Sequence, residues 1–284
     1  LSVGSNRLTL ETAGGATQSE AITAGQLLLL GTGADYMLAN GGNAVGTLAA
    51  SLGTGNVLVT SGAAANLVVG TVGTTTGVTA ASLSLTSTNA SADIAINNAV
   101  TTTGAQDYVS ERDVQLAAGT ALTVSGAAML SIDAARQVSL GASSTIENSY
   151  ASDLTPFDAI SIMGNRRAIA DAGNLSGVEM AAGSVIRTAA GGAGNIVLSG
   201  RGGAVSGHGI AMAATVQSLG AGNVTLTGES VNSTSNYSGV YLSGGSGISS
   251  NLGDIEVTAL ASGAAGNFPA LYLLGGVGAS IQSS

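Results

Sequence analysis

Short alternating runs of apolar and polar residues recur through the second half of the chain. Residues 177–180 read Gly-Val-Glu-Met, and similar segments begin at Gly209, Gly239 and Ala270, at steps of 32, 30 and 31 residues. Recurrence of one short segment about every 30 residues is typical of a solenoid, in which each repeat forms one structural unit.

A second segment recurs between the copies of the first. It reads Gly-Asn-Ile-Val-Leu from Gly194, Gly-Asn-Val-Thr-Leu from Gly222 and Gly-Asp-Ile-Glu-Val from Gly253. In the clearest copies two apolar residues flank a charged one, which is the period-two alternation of a strand with one buried face. A third apolar position lies between the two segments, at Val185 with Ile186, Val216, Ile248 and Ile281.

These spacings predict an all-β fold, a parallel β-helix (β-solenoid) with about 20–32 residues and three short strands per coil. We expect roughly 9–14 coils, stacked ~4.8 Å apart. One coil cannot bury its own apolar face, so stability must come from its neighbours. Three interior columns are expected: Val178, Ile210, Val240 and Leu271; Met180, Met212, Leu242 and Leu273; Ile196, Val224 and Ile255.

Each second segment is expected to begin at a corner of its coil. Its opening glycine is expected to have positive φ, which glycine adopts without steric cost. The residues that follow, Asn195, Asn223 and Asp254, are expected to stack at that corner and to bond turn backbone.

The first half of the chain shows the same alternation with looser spacing, which predicts one continuous β-solenoid domain over residues 1–284. Two charged segments, near residues 107–113 and 147–174, interrupt the pattern. Interruptions in solenoids are usually loops that leave one face, so we expect irregular loops at both places.

Composition narrows the class of protein. The chain has 44 glycines among 284 residues, 45% hydrophobic residues and only 8% charged residues. Disorder combines low hydrophobicity with high charge, so a core of small aliphatic side chains is expected instead. Cysteine is absent, which excludes disulfides and Cys-ligated metals and fits an exported bacterial protein. No cofactor is expected.

The formal charge of −9 is spread along the chain. It disfavours nucleic acid and anionic membranes as partners. The aliphatic run at residues 27–30 is too short to span a bilayer, so membrane insertion is not expected. The chain opens at Leu1 in the middle of a pattern, which favours a mature fragment or one segment of a longer chain.

Residues 222–227 (Gly-Asn-Val-Thr-Leu-Thr) and 253–258 (Gly-Asp-Ile-Glu-Val-Thr) lie in a Cys-free chain rich in Ala, Ser, Gly and Thr. This combination resembles filamentous-haemagglutinin-like exoproteins, which are bacterial surface adhesins exported by two-partner secretion. Similar strand repeats occur in autotransporter passengers and other large surface proteins. The resemblance covers most of the chain and implies a right-handed β-helix on the bacterial outer surface. The Asn-Pro motifs of the family's secretion domain are missing, which implies a repeat shaft.

The resemblance implies a non-catalytic structural segment of an extracellular adhesin or fibre. Its expected partners are neighbouring segments or copies of itself, joined end to end, and a host or cell-surface glycan or protein. Charged residues are absent after Glu256, and uncapped strand edges template further pairing, so we expect both ends to be covered in the native setting.

The main alternative is a β-helix carbohydrate-active enzyme, a polysaccharide lyase or glycosidase, or a carbohydrate-binding module. Such enzymes use clustered carboxylates. The larger of two polar clusters in the sequence contains Asp153, Asp158, Arg166, Arg167 and Asp171. A solvated loop with local ion pairs explains the same residues.

Tyr241 and Tyr272 occupy the same outward position in adjacent predicted coils. They are a candidate contact for carbohydrate, because tyrosine rings bury apolar area and keep a hydroxyl in water. The alternative is a cross-strand pair that only stabilises the sheet.

Metal chemistry has little support. The single histidine, His208, is interpreted as a corner residue and not as a ligand or a catalytic group. The Gly-Gly-x-Gly-x-Asp repeat of calcium-binding β-helices is absent. An isolated calcium site through Asp107, Asp113, or Asp153 with Asp158 is left open.

Overall fold

Successive turns of the chain lie on one another and pair through parallel strands. The computed structural model describes residues 1–151, 155–167, 169–231, 237–262, 269–274 and 279–283. Within these ranges there is no helix, and all strand pairs are parallel except one short hairpin. The predicted parallel β-helix is therefore confirmed. No helix in the described ranges could cross a membrane.

The strands of the N-terminal coils include long ones. The first three coils contain β1 (Ser2–Glu11), β2 (Ala16–Thr17), β3 (Thr23–Leu30), β4 (Tyr36–Leu38), β5 (Ala44–Ser51) and β6 (Asn56–Ser61). The fourth contains β7 (Leu67–Val69), β8 (Thr71–Val72), β9 (Thr75–Thr76), β10 (Val78–Ala80) and β11 (Ser82–Ser87).

The later coils are built from shorter strands at three positions. The fifth to seventh coils contain β12 (Ile94–Ile96), β13 (Val100–Thr102), β14 (Gln106–Ser110), β15 (Asp113–Leu116), β16 (Ala121–Val124), β17 (Leu130–Ala134), β18 (Gln137–Leu140), β19 (Thr145–Asn148) and β20 (Phe157–Gly164). The rest contain β21 (Val178–Met180), β22 (Val185–Thr188), β23 (Gly194–Arg201), β24 (Ile210–Met212), β25 (Thr215–Ser218), β26 (Val224–Ser230), β27 (Val240–Leu242), β28 (Gly247–Ser250), β29 (Ile255–Ala261), β30 (Leu271–Leu273) and β31 (Ser280–Ser283).

The strands form three faces. The first face is the ladder β7, β12, β15, β18, β21, β24, β27 and β30; the second is β10, β13, β16, β19, β22, β25, β28 and β31; the third is β2, β4, β6, β11, β14, β17, β20, β23, β26 and β29. The first two faces merge at β5, which pairs with β7 and with β10. The first three coils thus have two strands and not the predicted three, because no turn residue interrupts runs such as the four leucines of β3.

The predicted columns are confirmed as stacks, and they are interior except at Leu273 of the last coil, which is exposed. Val178 pairs with Ile210, Ile210 with Val240, and Val240 with Leu271. The first three of these side chains are fully buried. The columns of the third face are in register in the same way.

Coil length varies more than predicted. Paired residues lie 20 positions apart at Ile94 and Val114, but 40 apart at Val138 and Val178. The long coil exceeds the predicted range because it contains the eight-residue strand β20 and an irregular connection before β21.

The two expected loops have different outcomes. Residues 107–113 are not a loop, since β14 runs to Ser110 and β15 begins at Asp113. The charge of Asp107 fits a strand because the residue points outward between Ser84 and Ser131 of the adjacent coils. The segment 147–174 contains β20 and, after it, an irregular connection.

The glycines that open the repeated segments lie so close to neighbouring atoms that a side chain would not fit. Gly194, Gly222 and Gly253 lack the positive φ that was expected. A Cβ at Gly222 would collide with the carbonyl oxygen of Gly194, and a Cβ at Gly253 with that of Gly222. At Gly209 it would collide with the backbone nitrogen of Glu229. The recurring glycine therefore marks a close contact, which is made with backbone at Gly209, Gly222 and Gly253 and with the Ala159 side chain at Gly194.

The expected corner stack is present and includes one more residue. Asn195 Nδ2 donates to Asp158 Oδ1 at 3.2 Å. The backbone N–H of Asn223 donates to Asn195 Oδ1 at 2.9 Å, and that of Asp254 donates to Asn223 Oδ1 at 2.8 Å. Side-chain amides thus join successive coils where the backbone turns.

A small second core explains the four-leucine run of β3. Leu27 and Leu29 face the main interior, whereas Leu28 packs outside the coil with Ala49 and Val72. Val72 belongs to the hairpin of β8 and β9 and is fully buried. The hairpin therefore covers apolar residues that would otherwise face water.

Replacing Gly209 with alanine should lower the free energy of unfolding by about 1–3 kcal/mol, because the new Cβ overlaps rigid backbone of the next coil. Gly244→Ala is the matched control, since a Cβ there meets nothing within 4 Å. Urea denaturation of both variants measures the difference. Equal midpoints for Gly209→Ala and wild type would contradict the packing argument.

Candidate functional site

The outward side chains of the first face form a line along the helix axis. In ladder order they are Val68, Ala95, Gln115, Ser139, Glu179, Ala211, Tyr241 and Tyr272. A second line, of residues that follow these strands, is also small or polar: Asn97, Ala117, Gly141, Ala181, Ala213 and Ser243.

The two lines form the floor of an open trough that runs from β12 to β27. It comprises three adjoining depressions of about 380, 260 and 210 Å3, and the second of these lies beside the floor, since Glu179 is its one residue from the two lines. Ala95 lies in the first depression, Tyr237 in the second and Tyr241 in the third. Glu179 lines all three and therefore lies at the centre of the trough.

Glu179 presents an exposed carboxylate to the trough. Gln137 Nε2 donates to Glu179 Oε2 at 3.1 Å and to the backbone oxygen of Ser176 at 3.0 Å. The ion pairs found in the described part of the chain join arginines to other carboxylates and do not include Glu179. Its oxygens therefore retain capacity to accept hydrogen bonds.

An aromatic stack closes one end of the trough. Tyr241 and Tyr272 are paired residues of adjacent strands, with ring centroids 5.6 Å apart and planes 4° from parallel. His208 stacks on Tyr241 at 4.5 Å, and Tyr237 meets His208 edge-on at 5.2 Å. Because the ring faces cover each other, a ligand would meet mainly ring edges and hydroxyl groups.

The sequence predicts the neighbouring pair of Tyr241 and Tyr272, but the contacts of His208 and Tyr237 with this pair were not predicted. The repeat alignment held the necessary signal, because His208 and Ser238 both directly precede the glycine of the first segment. It therefore places His208 and Tyr237 in adjacent coils. The stacking itself depends on side-chain directions in the corner, which the alignment does not give.

His208 is held as a neutral ring. Burial lowers the pKa of its imidazole. The backbone N–H of Ser238 donates to His208 Nδ1 at 3.0 Å, a bond that requires this nitrogen to be unprotonated. Among the described residues, no group of three or more His, Cys, Asp and Glu side chains could hold a metal ion.

The polar cluster proposed for an enzyme is divided in the structure. Asp158 belongs to the Asn corner stack at the start of β20, whereas Arg166 lies beyond the end of that strand, ~20 Å away along an extended chain. Arg167 pairs with Asp171 at 3.6 Å. Asp153 lies outside the described residues.

Arg166 instead connects the two charged segments of the sequence. Its guanidinium lies 2.7 Å from Glu111 and 2.7 Å from Asp133. Arg167 Nη2 donates to the backbone oxygen of Glu111 at 2.7 Å. The segment after β20 therefore folds against the turn between β14 and β15, and its charges hold coils together.

Asp113, a candidate calcium ligand, and its neighbour Asp93 are both buried carboxylates that form ion pairs with arginines. Asp113 accepts two hydrogen bonds from Arg136, at 2.8 and 2.6 Å. Asp93 occupies the equivalent place one coil earlier and lies 3.3 Å from Arg112. Burial raises the pKa of Asp93, and the charge of nearby Asp113 adds to the increase. These pairs favour a structural role for both acids.

Comparison of the chain with protein-family models, curated proteins and solved structures returned no match.

The single histidine allows a direct test of the aromatic stack. By NMR titration, His208 should have an apparent pKa below the ordinary value of about 6.5, because burial disfavours the charged ring. The unfolded chain then binds the proton more readily, so His208 contributes a fall in the free energy of unfolding as the pH drops below about 6.5.

Tyr241→Ser should move the pKa of His208 back towards its ordinary value, since the ring loses its cover. Tyr150→Ser is the control, because Tyr150 pairs with Phe157 elsewhere on the coil. An unchanged pKa in Tyr241→Ser would show that the stack does not bury His208.

Proposed function

We propose that the chain is a rigid, non-catalytic segment of a bacterial surface adhesin or extracellular fibre, exported by two-partner secretion. The observation that carries the proposal is the continuous parallel pairing of strands from coil to coil, with local register shifts in β1 and β20. With eleven coils about 4.8 Å apart, the rod is ~50 Å long. Such a stack resists bending because each coil is hydrogen-bonded to both neighbours.

The charged side chains support this role by bracing adjacent coils. Arg136 pairs with Asp113 of the preceding coil, and Arg187 with Glu147 at 2.8 Å. Exposed pairs of this kind contribute only about 0–1 kcal/mol each. The pair of Arg136 with Asp113 should be stronger than the exposed pairs, because Arg136 donates two hydrogen bonds to a buried carboxylate.

The last coil supports end-to-end assembly. Leu273 and Ile281 are 44% and 38% exposed, whereas the residues they pair with, Leu242 and Ile248, are fully buried. Apolar side chains beside an unpaired strand edge favour addition of another strand. We propose that a further coil covers them, from the same chain or from a second copy, which would extend the rod.

A polysaccharide lyase or glycosidase is the weaker proposal because Asp158 lies at the opposite end of β20 from Arg166, Arg167 and Asp171. Incubation with neutral and acidic polysaccharides should give no sustained turnover. Turnover that is lost in Asp153→Asn, Asp158→Asn or Asp171→Asn, but kept in Asp107→Asn, would overturn the non-catalytic proposal.

Light scattering tests the assembly proposal. The 284-residue chain should show an apparent mass that increases with concentration. Leu273→Glu combined with Ile281→Glu should remove this dependence by placing charge on the strand edge. Val205→Glu is the control, because Val205 is 52% exposed on a connection between strands. A concentration-independent monomer with hydrogen-exchange protection in β30 and β31 would show that the end is already capped.

A further inference from the structure

We propose that the trough on the first face binds a linear, neutral polysaccharide, with the carboxylate of Glu179 accepting hydroxyl hydrogen bonds at its centre. This inference adds a ligand class to the proposed adhesin. It rests on that proposal only for the exposure of the trough on the rod, so the two can fail separately.

The shape of the trough fits an extended chain molecule. From Ala95 on β12 to Tyr241 on β27 the floor crosses five coil intervals, or about 24 Å. The floor is straight because its residues are in register, and it is open along its length because small side chains such as Ala211 and Gly141 form it. A compact ligand would leave most of this length empty.

Uncharged polar side chains line the first two depressions of the trough. Uncharged hydrogen-bonding side chains recur from one coil to the next, with Asn97, Gln115 and Ser139 in the first depression. Asn174 and Ser206 line the second depression beside Tyr237. Uncharged donors and acceptors spread over several coils match an extended ligand that carries hydroxyl groups.

Charge selects neutral glycans over acidic ones. The depressions contain the carboxylate of Glu179 and no arginine among their lining residues. An acidic polysaccharide would therefore be repelled at the centre of the trough, and the net charge of −9 adds to this repulsion. A carboxylate accepts strong hydrogen bonds from hydroxyl groups, which every neutral sugar supplies.

The aromatic stack provides a rigid end to the site. Tyr241 lies between His208 at 4.5 Å and Tyr272 at 5.6 Å, so its ring is supported on both faces. A side chain held in this way loses little conformational entropy on binding. Tyr241 lines the third depression together with Ala211 and Ser243, where the last sugar of the chain would lie.

NMR titration of the full 284-residue chain tests the proposal. The probes are neutral hexasaccharides of β-1,4-linked glucose, β-1,4-linked N-acetylglucosamine and α-1,4-linked glucose, with an acidic hexagalacturonate for comparison. At least one neutral probe should shift the His208 ring signal and backbone signals of β15 to β24. Affinity should increase from the disaccharide to the hexasaccharide, since the floor spans five coil intervals.

Two variants with a matched control locate the site. Glu179→Gln should weaken binding of the responsive probe about tenfold, because hydrogen bonds to a charged acceptor are stronger than those to a neutral one. Ala211→Trp should abolish binding by filling the trough, whereas Thr225→Trp places the same ring on the third face of the same coil and should leave affinity unchanged.

The proposal is overturned if no neutral probe binds, if hexagalacturonate binds more tightly than all of them, or if Glu179→Gln and Ala211→Trp bind as wild type does. Loss of binding in Thr225→Trp as well would also count against it, since the effect would then not be local. Any of these results leaves the light-scattering test of the rod unaffected.

Discussion

Strand pairing between successive coils is the interaction on which the rest of this protein depends. Strands such as β21, β24 and β27 have three residues each, too few to be stable as isolated pairs. In the stack each is hydrogen-bonded on two sides and covers the apolar residues of its neighbours. The pairing also fixes every side-chain direction, because a one-residue slip would turn Val178 outward and Glu179 inward. Both the buried columns and the trough follow from one register.

Polar groups are placed where this pairing ends. At the corner of the third face, Asn195 and Asn223 supply side-chain oxygens that accept backbone N–H groups of the following coil. At the corner before the first face, Asp113 is buried and would be costly as a charge without Arg136. The scarce charges of this chain are therefore mostly connections between coils. Glu179 differs from them, because it lies exposed in the trough and forms no ion pair with an arginine among the described residues.

Much of the fold could be predicted because equivalent positions of successive repeats can be aligned within the one sequence. The match of Gly209 with Gly239 implied that Ile210 stacks on Val240, and period-two alternation implied which neighbours point outward. The merged faces of the N-terminal coils could not be predicted in this way, because continuous strands leave no turn signal. The contact of Arg166 with Glu111 was also hidden, since it joins residues 55 positions apart through an irregular connection.

The candidate site was only partly visible in the sequence for a related reason. The Tyr241 and Tyr272 pair follows from register alone, but the trough depends on small residues such as Ala211, whose importance is the space they leave. The role of the repeated glycines was predicted wrongly because it depends on a contact with another coil and not on local backbone conformation. Positive φ is a local property, whereas the contact that excludes a side chain at Gly222 comes from Gly194 in the preceding coil.

The equivalence of Gly177 and Gly209 has a consequence for how such a molecule can change length. Each begins a coil with the same backbone contact, so excision of residues 178–209 would rejoin the chain in an identical register. The product would be one coil shorter, by ~4.8 Å, with its remaining columns intact. A cut that does not run from one repeat position to its equivalent in another coil would bring mismatched columns together. Recombination can therefore lengthen or shorten the rod only by whole coils.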